Sequence, residues 1–501
     1  MDSTTLHHYI DGKRVKGVNA PTYPIYNPTT GSVIKQLSFA HDTEINSAII
    51  AAKKAFSTWS MTPAIRRARV LFKYKTLLEA HLDDIAKLVT LEHGKTLADA
   101  KGSIQRGIEA VEVASGITQL QQGTFSEDVA TGVDCYTMRQ AIGVCVGITP
   151  FNFPAMIPLW MFSMAIACGN TFILKPSEKD PSASLLLAEL LAEAGAPPGV
   201  LNVIHGDKTV VDSLLTHPDI AAVSFVGSTP IAHYVHQTGI QHGKRVQAFG
   251  GAKNHCIVMP DADLEQAAEA IVGAAYGSAG ERCMAISVAV CIGDQLADDL
   301  IQRMLPKIQT LRIGNGMDAN IDIGPLITKE HRERIIEYIE IGKQEGAELV
   351  VDGRHLSVKG HESGFFLGGS LFDKVTRDMR IYQEEIFGPV LCVLRAPDFD
   401  TALEWINQNP FGNGTAIFTN DGWTARQFAS KVQVGMVGIN IPIPVPVPFH
   451  TFGGWKQSIF ADVHMHGTES VRFYTKPKTV TSRWLNGHRL TAEFTIRAQD
   501  K

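Results

Sequence analysis

The stretch "AIGVCVGITPFNFPAMIPLWMFSMAIACGNTFILKPSE" (residues 141–178) decides the fold. Between Gln140 and Leu174 there is no charged residue, enough apolar chain to cross a bilayer. Pro150, Pro154, Pro158, Asn152 and the Gly169-Asn170 pair cut that run into shorter pieces. It therefore divides into a buried strand "AIGVCVGIT", a loop, a buried helix "PLWMFSMAIACG" closed by Gly169, and a second strand "TFILKPS". The segment is core, not a membrane span.

The same alternation continues downstream. "SASLLLAELLAEAG" has helical spacing and ends at Gly195, and "GVLNVIHG" and "IAAVSFVGS" are apolar strands flanking "TVVDSLLTHPD". "TPIAHYVHQTGI" is a further helix and "RVQAFGG" a further strand. Strands and helices taking turns across short Gly/Pro/Asn connections predict an α/β, doubly wound sheet. Such sheets bind ligands beyond the carboxyl ends of their strands. Upstream, "TEINSAIIAAKKAFSTWS" and "RRARVLFKYKTLLEAHLDDIAKLVTLEHG" are two long helical patterns. After Lys253 a second α/β pattern begins, with the helix "DLEQAAEAIVGAAYGSAG", the strand "ISVAVCIG", the helix "QLADDLIQRMLPKIQTL" and the strand "IFGPVLCVLRA". "IPIPVPVP" (441–448) lacks the donors of a central strand and is expected as a stiff extended loop.

The chain has 501 residues with 46 Lys and Arg against 51 Asp and Glu, a net charge of −5. That balance gives no electrostatic reason for nucleic acid or an anionic membrane as partner. The seven cysteines are scattered without a CxxC pair, which argues against a disulfide framework or thiolate zinc site. No HExxH spacing occurs, and no metal is expected, at His464 and His466 included. The amino terminus has no charged region followed by an apolar one, so a cytoplasmic location is expected.

Chemistry has three candidate places. No GxGxxG follows a strand, but "AAVSFVGSTPIA" ends a strand at Gly227 and opens a helix, with Thr229 suited to the N-cap and Pro230 to the first turn. A helix start of that kind favours an anion such as pyrophosphate. "ILKPSEK" puts Lys175 and Glu178 at a strand end, where a carboxylate can accept ribose hydroxyls and repel a 2′-phosphate. In "YGSAGERCMA" (276–285), Cys283 stands beside Arg282, with Gly277 and Gly280 giving room. It is either a nucleophile or a buried structural thiol; the other six lie mostly in apolar patterns.

Six ordered motifs, "TPFNFP", "FILKPSE", "FVGST", "FGG", "GERC" and "EEIFGPV", resemble the aldehyde dehydrogenase superfamily over nearly the whole chain. "GAKNH", "GSAGERCMA" and "VGINIPIPVPVP" are closest to its CoA-acylating, methylmalonate-semialdehyde branch. The resemblance implies Cys283 as the nucleophile and Asn152 as an oxyanion donor. It places Thr149, Phe151, Lys175, Glu178, Lys179, Ser228, Gly250, Glu385 and Phe387 around NAD. It also implies Arg106 and Arg282 as ligands of a substrate carboxylate, with Arg282 alternatively lowering the thiol pKa.

Two positions depart from the superfamily pattern. Ala232 replaces a common glycine, a small change. Ala248, in "RVQAFGG", stands where hydrolytic members carry a glutamate. A general base typically supplies about 10² to 10⁴ in rate. Without one, water attacks a thioacyl enzyme slowly, whereas a thiol is already partly thiolate near neutral pH. Coenzyme A is the expected second substrate, with CO₂ leaving before it arrives. The branch also implies a dinucleotide-binding domain at 1–123 and 144–252, a catalytic domain at 253–463, and a small β oligomerisation extension at 124–143 and 464–490, assembled as a homotetramer. "FSEDVATGVDCYTMRQ" and "GTESVRFYTKPKTVTSRW" are expected as strands of that extension.

Overall fold

The computed structural model describes residues 5–17 and 21–484. Its first sheet has eight strands in the order Ile459–Phe460, Arg245–Phe249, Ile220–Val226, Val144–Ile148, Thr171–Lys175, Leu201–Val203, His8–Ile10 and Lys13–Val15. From Arg245–Phe249 to Leu201–Val203 the pairing is parallel, and antiparallel pieces close both edges. Val146 lies opposite Val223 on one side and Ile173 on the other. A strand covered on both faces cannot alternate apolar with polar, which is why "VCVGI" is buried throughout.

The uncharged stretch becomes the strand Val144–Ile148, the helix Met156–Ala167 and the strand Thr171–Lys175, as the sequence predicts. Every residue of that helix is buried, so it has no polar face. Pro158 is its third residue, where the missing N–H has no intrahelical acceptor to lose. The helix packs on Leu97–Ser115 at Gly107, where a Cβ would lie 2.7 Å from Leu159 Cδ1. The glycine lets the two helices close to contact.

A second sheet of seven strands runs Glu348–Val351, Ser370–Asp373, Val390–Ala396, Ile286–Ile292, Asn254–Val258, Gly414–Phe418 and Met436–Ile439, parallel except at its first pair. A three-stranded sheet joins Thr475–Arg483 to Val133–Ala141 and Phe125–Ala130, the last exposed along its whole length. Residues 441–448 form no strand, as expected, and Ile443 and Val445 tuck against the core.

Three elements differ from the sequence expectation. The helical pattern ending at Gly94 is two helices, Ala64–Ala80 and Leu82–His93, parted at His81 (φ −103°, ψ 16°). Apolar spacing runs unbroken through Leu78, Leu82 and Ile85, so periodicity hides the break; the Asp83-Asp84 pair in the new first turn suits a helix start. "DLEQAAEAIVGAAYGSAG" is helical only over Leu264–Tyr276. A tight turn follows in which Ser278 and Ala279 take φ of 54° and 52°. The expected carboxy-terminal strands begin instead with the helix Gly467–Tyr474. Its buried Gly467, Ser470, Val471 and Tyr474 recur at helical spacing, and only Thr475–Arg483 is strand. Residues 485–490 of the expected extension lie outside the described residues.

Candidate active site

The strands Val144–Ile148, Thr171–Lys175, Ile220–Val226 and Arg245–Phe249 are parallel, so their carboxyl ends open on one edge. Thr149, Phe151 and Asn152 follow the first, Lys175, Glu178 and Lys179 the second, Ser228 the third, and Gly250 the fourth. Lys175 Nζ lies 3.3 Å from Glu178. Burial raises the Glu178 carboxyl most, but Lys175, its own backbone N–H and Lys179 together hold the group below its ordinary range. Phe151 meets Phe387 edge-on at 5.9 Å, and Lys179 Nζ sits 4.7 Å from the Phe151 ring centre. The N-cap of Thr229–Gln241 is Ser228, not Thr229 as expected. The Thr229 hydroxyl instead accepts the Gly251 N–H at 2.8 Å, tying the helix start to the glycine pair.

Cys283 emerges just after the tight turn, and its main chain is held from two sides. The side-chain amides of Asn254 and Asn413 donate to its carbonyl at 2.9 and 3.0 Å. Cys283, Arg282, Glu385, Phe387 and Ala252 line one cleft. Burial, and then the charge of Glu385, push the thiol up to about 12, so it rests protonated. Arg282, next to it in the chain, turns its Nη2 to Asp99 at 2.5 Å. Glu385 is itself pushed up to about 7 by burial and accepts the Ala252 N–H at 2.9 Å. A Cβ on Gly251 would strike the Glu385 carboxylate, so that close approach requires glycine there.

Asn152 is 2% exposed, and its amide donates to the Glu281 carbonyl at 3.1 Å. The oxyanion candidate is therefore tied by a hydrogen bond to the segment that carries Cys283. Ala248 is fully buried, opposite Phe225 and Phe460, in a core cluster with Ala232, Val235 and Val246. Alanine fits the packing that a glycine at 232 would have served. The Arg106 guanidinium bonds Glu109 and the carbonyls of Val445 and Pro446 in the proline-rich loop.

Sequence reasoning missed Asn254 and Asn413, although "GAKNH" contains the first. It also missed Lys95, Asp99 and Glu281. Burial pushes Glu281 up to about 8; its Oε1 accepts the Ile327 N–H at 3.2 Å, with His331 3.6 Å and His93 3.9 Å away. Glu281 stands two residues before Cys283 in "GERC", but nothing in a single sequence marks Lys95 and Asp99 as neighbours of that segment, because they lie nearly two hundred residues upstream.

Residues 15–480 match the aldehyde dehydrogenase family. The chain belongs to the aldehyde dehydrogenase family. It is 56% identical to a malonate-semialdehyde dehydrogenase of Pseudomonas aeruginosa over 96% of each chain. A methylmalonate-semialdehyde dehydrogenase (DddC) from Oceanimonas doudoroffii superposes with a TM-score of 0.95 at 54% identity, covering 97% of this chain and 99% of that one. A Sinorhizobium meliloti structure, assigned as a methylmalonate-semialdehyde dehydrogenase and complexed with NAD, gives 0.96 at 55% identity over 96% and 98%. The aldehyde dehydrogenase fold accounts for both large sheets. No helix among the described residues is long and apolar enough to cross a membrane.

Proposed function

We propose that this aldehyde dehydrogenase oxidises malonate and methylmalonate semialdehydes with NAD and passes the acyl group to coenzyme A, giving acetyl-CoA or propionyl-CoA. The observation that carries the reading is the Asn152 amide bonded at 3.1 Å to the Glu281 carbonyl, two residues before Cys283, while the position of a hydrolytic base is the buried Ala248. The names of the relatives supply the substrate class.

The cleft fits NAD. The buried Thr149 hydroxyl has no partner among the described residues, and Ser228 makes no side-chain cap to the helix it starts. Thr149, Phe151, Lys179 and Phe387 would line the cofactor, Lys175 and Glu178 would hold the adenosine ribose, and Ser228 and Gly250 would flank the phosphates and nicotinamide. The ribose position carries the Glu178 carboxylate, which repels a 2′-phosphate and favours NAD over NADP.

What NAD supplies when bound is a hydride acceptor. Cys283, once deprotonated, attacks the aldehyde carbon, and the Asn152 amide turns from the Glu281 carbonyl to the new oxyanion. Loss of hydride leaves a thioester on Cys283. The substrate carboxylate then lies β to the thioester carbonyl. Breaking that C–C bond releases CO₂ and puts the electron pair into an enolate, which Asn152 stabilises until the α-carbon takes a proton. The CoA thiolate attacks the thioester carbon, and collapse returns the Cys283 thiol.

Glu385 favours a second reading, because it is the only carboxylate lining the Cys283 cleft among the described residues and titrates near neutrality. There it could activate water and release a free acid. Product analysis separates the readings. With malonate semialdehyde, NAD and CoA, acetyl-CoA is the expected product; a free acid as main product supports Glu385 as base, and malonyl-CoA would refute decarboxylation before transfer. We also propose the domain bounds given by the sequence pattern, assembly as a homotetramer through the exposed Phe125–Ala130 edge, and a cytoplasmic location. An unpaired strand edge of that kind is a natural site for pairing between copies.

A further inference from the structure

Behind Cys283 lies a line of charges that the reaction above does not use. Lys95 is 1% exposed, far from where a lysine ordinarily sits. Its Nζ donates to the backbone carbonyl of Asn152 at 2.8 Å and lies 4.3 Å from the Phe153 ring centre. Asp99 Oδ2 stands 3.5 Å from that ammonium, and Asp99 Oδ1 stands 2.5 Å from Arg282 Nη2. The other side of the Arg282 fork rests on Gly277, where a Cβ would lie 2.6 Å from Nη1. Arg282 is thus seated between a carboxylate and a glycine. Among the described residues, no acceptor is bonded to its Nε or Nη1.

We propose that Asp99 is a specificity-positioning residue, which with Lys95 fixes the Arg282 guanidinium so that its remaining N–H groups meet a substrate carboxylate. The inference rests on the reading of Arg282 as a carboxylate ligand. Its physical basis is charge and shape together. A guanidinium grips a carboxylate well only when its planar fork is already oriented. Asp99 on its own would orient the fork but cancel its charge. Lys95 neutralises Asp99, so the trio keeps one net positive charge for the incoming anion. Lys95 also grips Asn152, so the carboxylate end and the carbonyl end of the substrate are registered against one buried ammonium.

A plainer role for Asp99 exists. It is the third residue of Leu97–Ser115, its N–H bonded to the Thr96 cap, and an acid there stabilises a helix start. Steady-state kinetics with malonate semialdehyde and with propionaldehyde, which lacks the carboxylate, separate the two roles. In Asp99→Asn, the ratio of kcat/KM for the semialdehyde to that for propionaldehyde should fall by about tenfold or more, mostly through KM. Arg282→Gln should lower the same ratio, and adding Asp99→Asn to it should lower the ratio no further. Equal losses for both aldehydes in Asp99→Asn would mean that Asp99 only supports the helix, and would overturn the inference. A lowered ratio in Arg282→Gln but not in Asp99→Asn would overturn it while leaving Arg282 as the ligand. An unchanged ratio in Arg282→Gln would overturn both.

Discussion

Cys283 rests as a thiol, and the cause is local. Burial and the neighbouring Glu385 charge both disfavour the thiolate. In the protein without NAD, alkylation of Cys283 by iodoacetamide should therefore climb from pH 7 to 10 without levelling. Glu385→Gln removes a negative neighbour, which lowers the thiol pKa and should speed alkylation at pH 8 several-fold. Equal rates in the two proteins would show that burial alone sets the thiol. Glu281 makes a second prediction. Its folded pKa of about 8 lies above the ordinary carboxyl value, so the folded state holds its proton more tightly than the unfolded chain. Its contribution is present at low pH and is lost as pH rises from the ordinary carboxyl range toward 8. Thermal unfolding of Glu281→Gln should accordingly depend less on pH between 5 and 8 than that of the parent protein. Of the site residues, Cys283 and Glu178 were legible because small or charged neighbours mark them in the chain. Asn254, Asn413 and Asp99 were not, because their contacts to the Cys283 segment join residues far apart in sequence.

At the scale of elements, the tight turn before Cys283 carries the geometry. Gly280 has φ +73°, and a Cβ there would collide with the Gly388 carbonyl. Gly280→Ala should destabilise the protein by about 1–3 kcal/mol and lower activity by misplacing Cys283, checked by denaturant unfolding beside steady-state rates. Retained stability and rate would show that the turn tolerates another path. The strands were legible because full burial writes continuous apolar runs, as in Val144–Ile148. The break at His81 was not, since the apolar period passes through it. In Gly467–Tyr474, Val, Phe and Tyr suit a strand, and burial at helical spacing decides for helix instead.

Across the whole molecule there are two large sheets, and the first presents Thr149, Lys175, Ser228 and Gly250 at four parallel strand ends. That arrangement was legible from alternation alone, since parallel strands need crossovers and crossovers put every carboxyl end on one edge. The proposed fate of the acyl group belongs to this scale too. Ala248 is packed in the core under Thr229–Gln241, so a base cannot be recovered there without opening that packing. The most direct test is NADH formation by purified protein with malonate semialdehyde and NAD, followed without CoA and then after its addition. The account predicts a burst of about one equivalent per site, a stall, and turnover that resumes with CoA. Steady turnover without CoA, with a free acid accumulating, would contradict it.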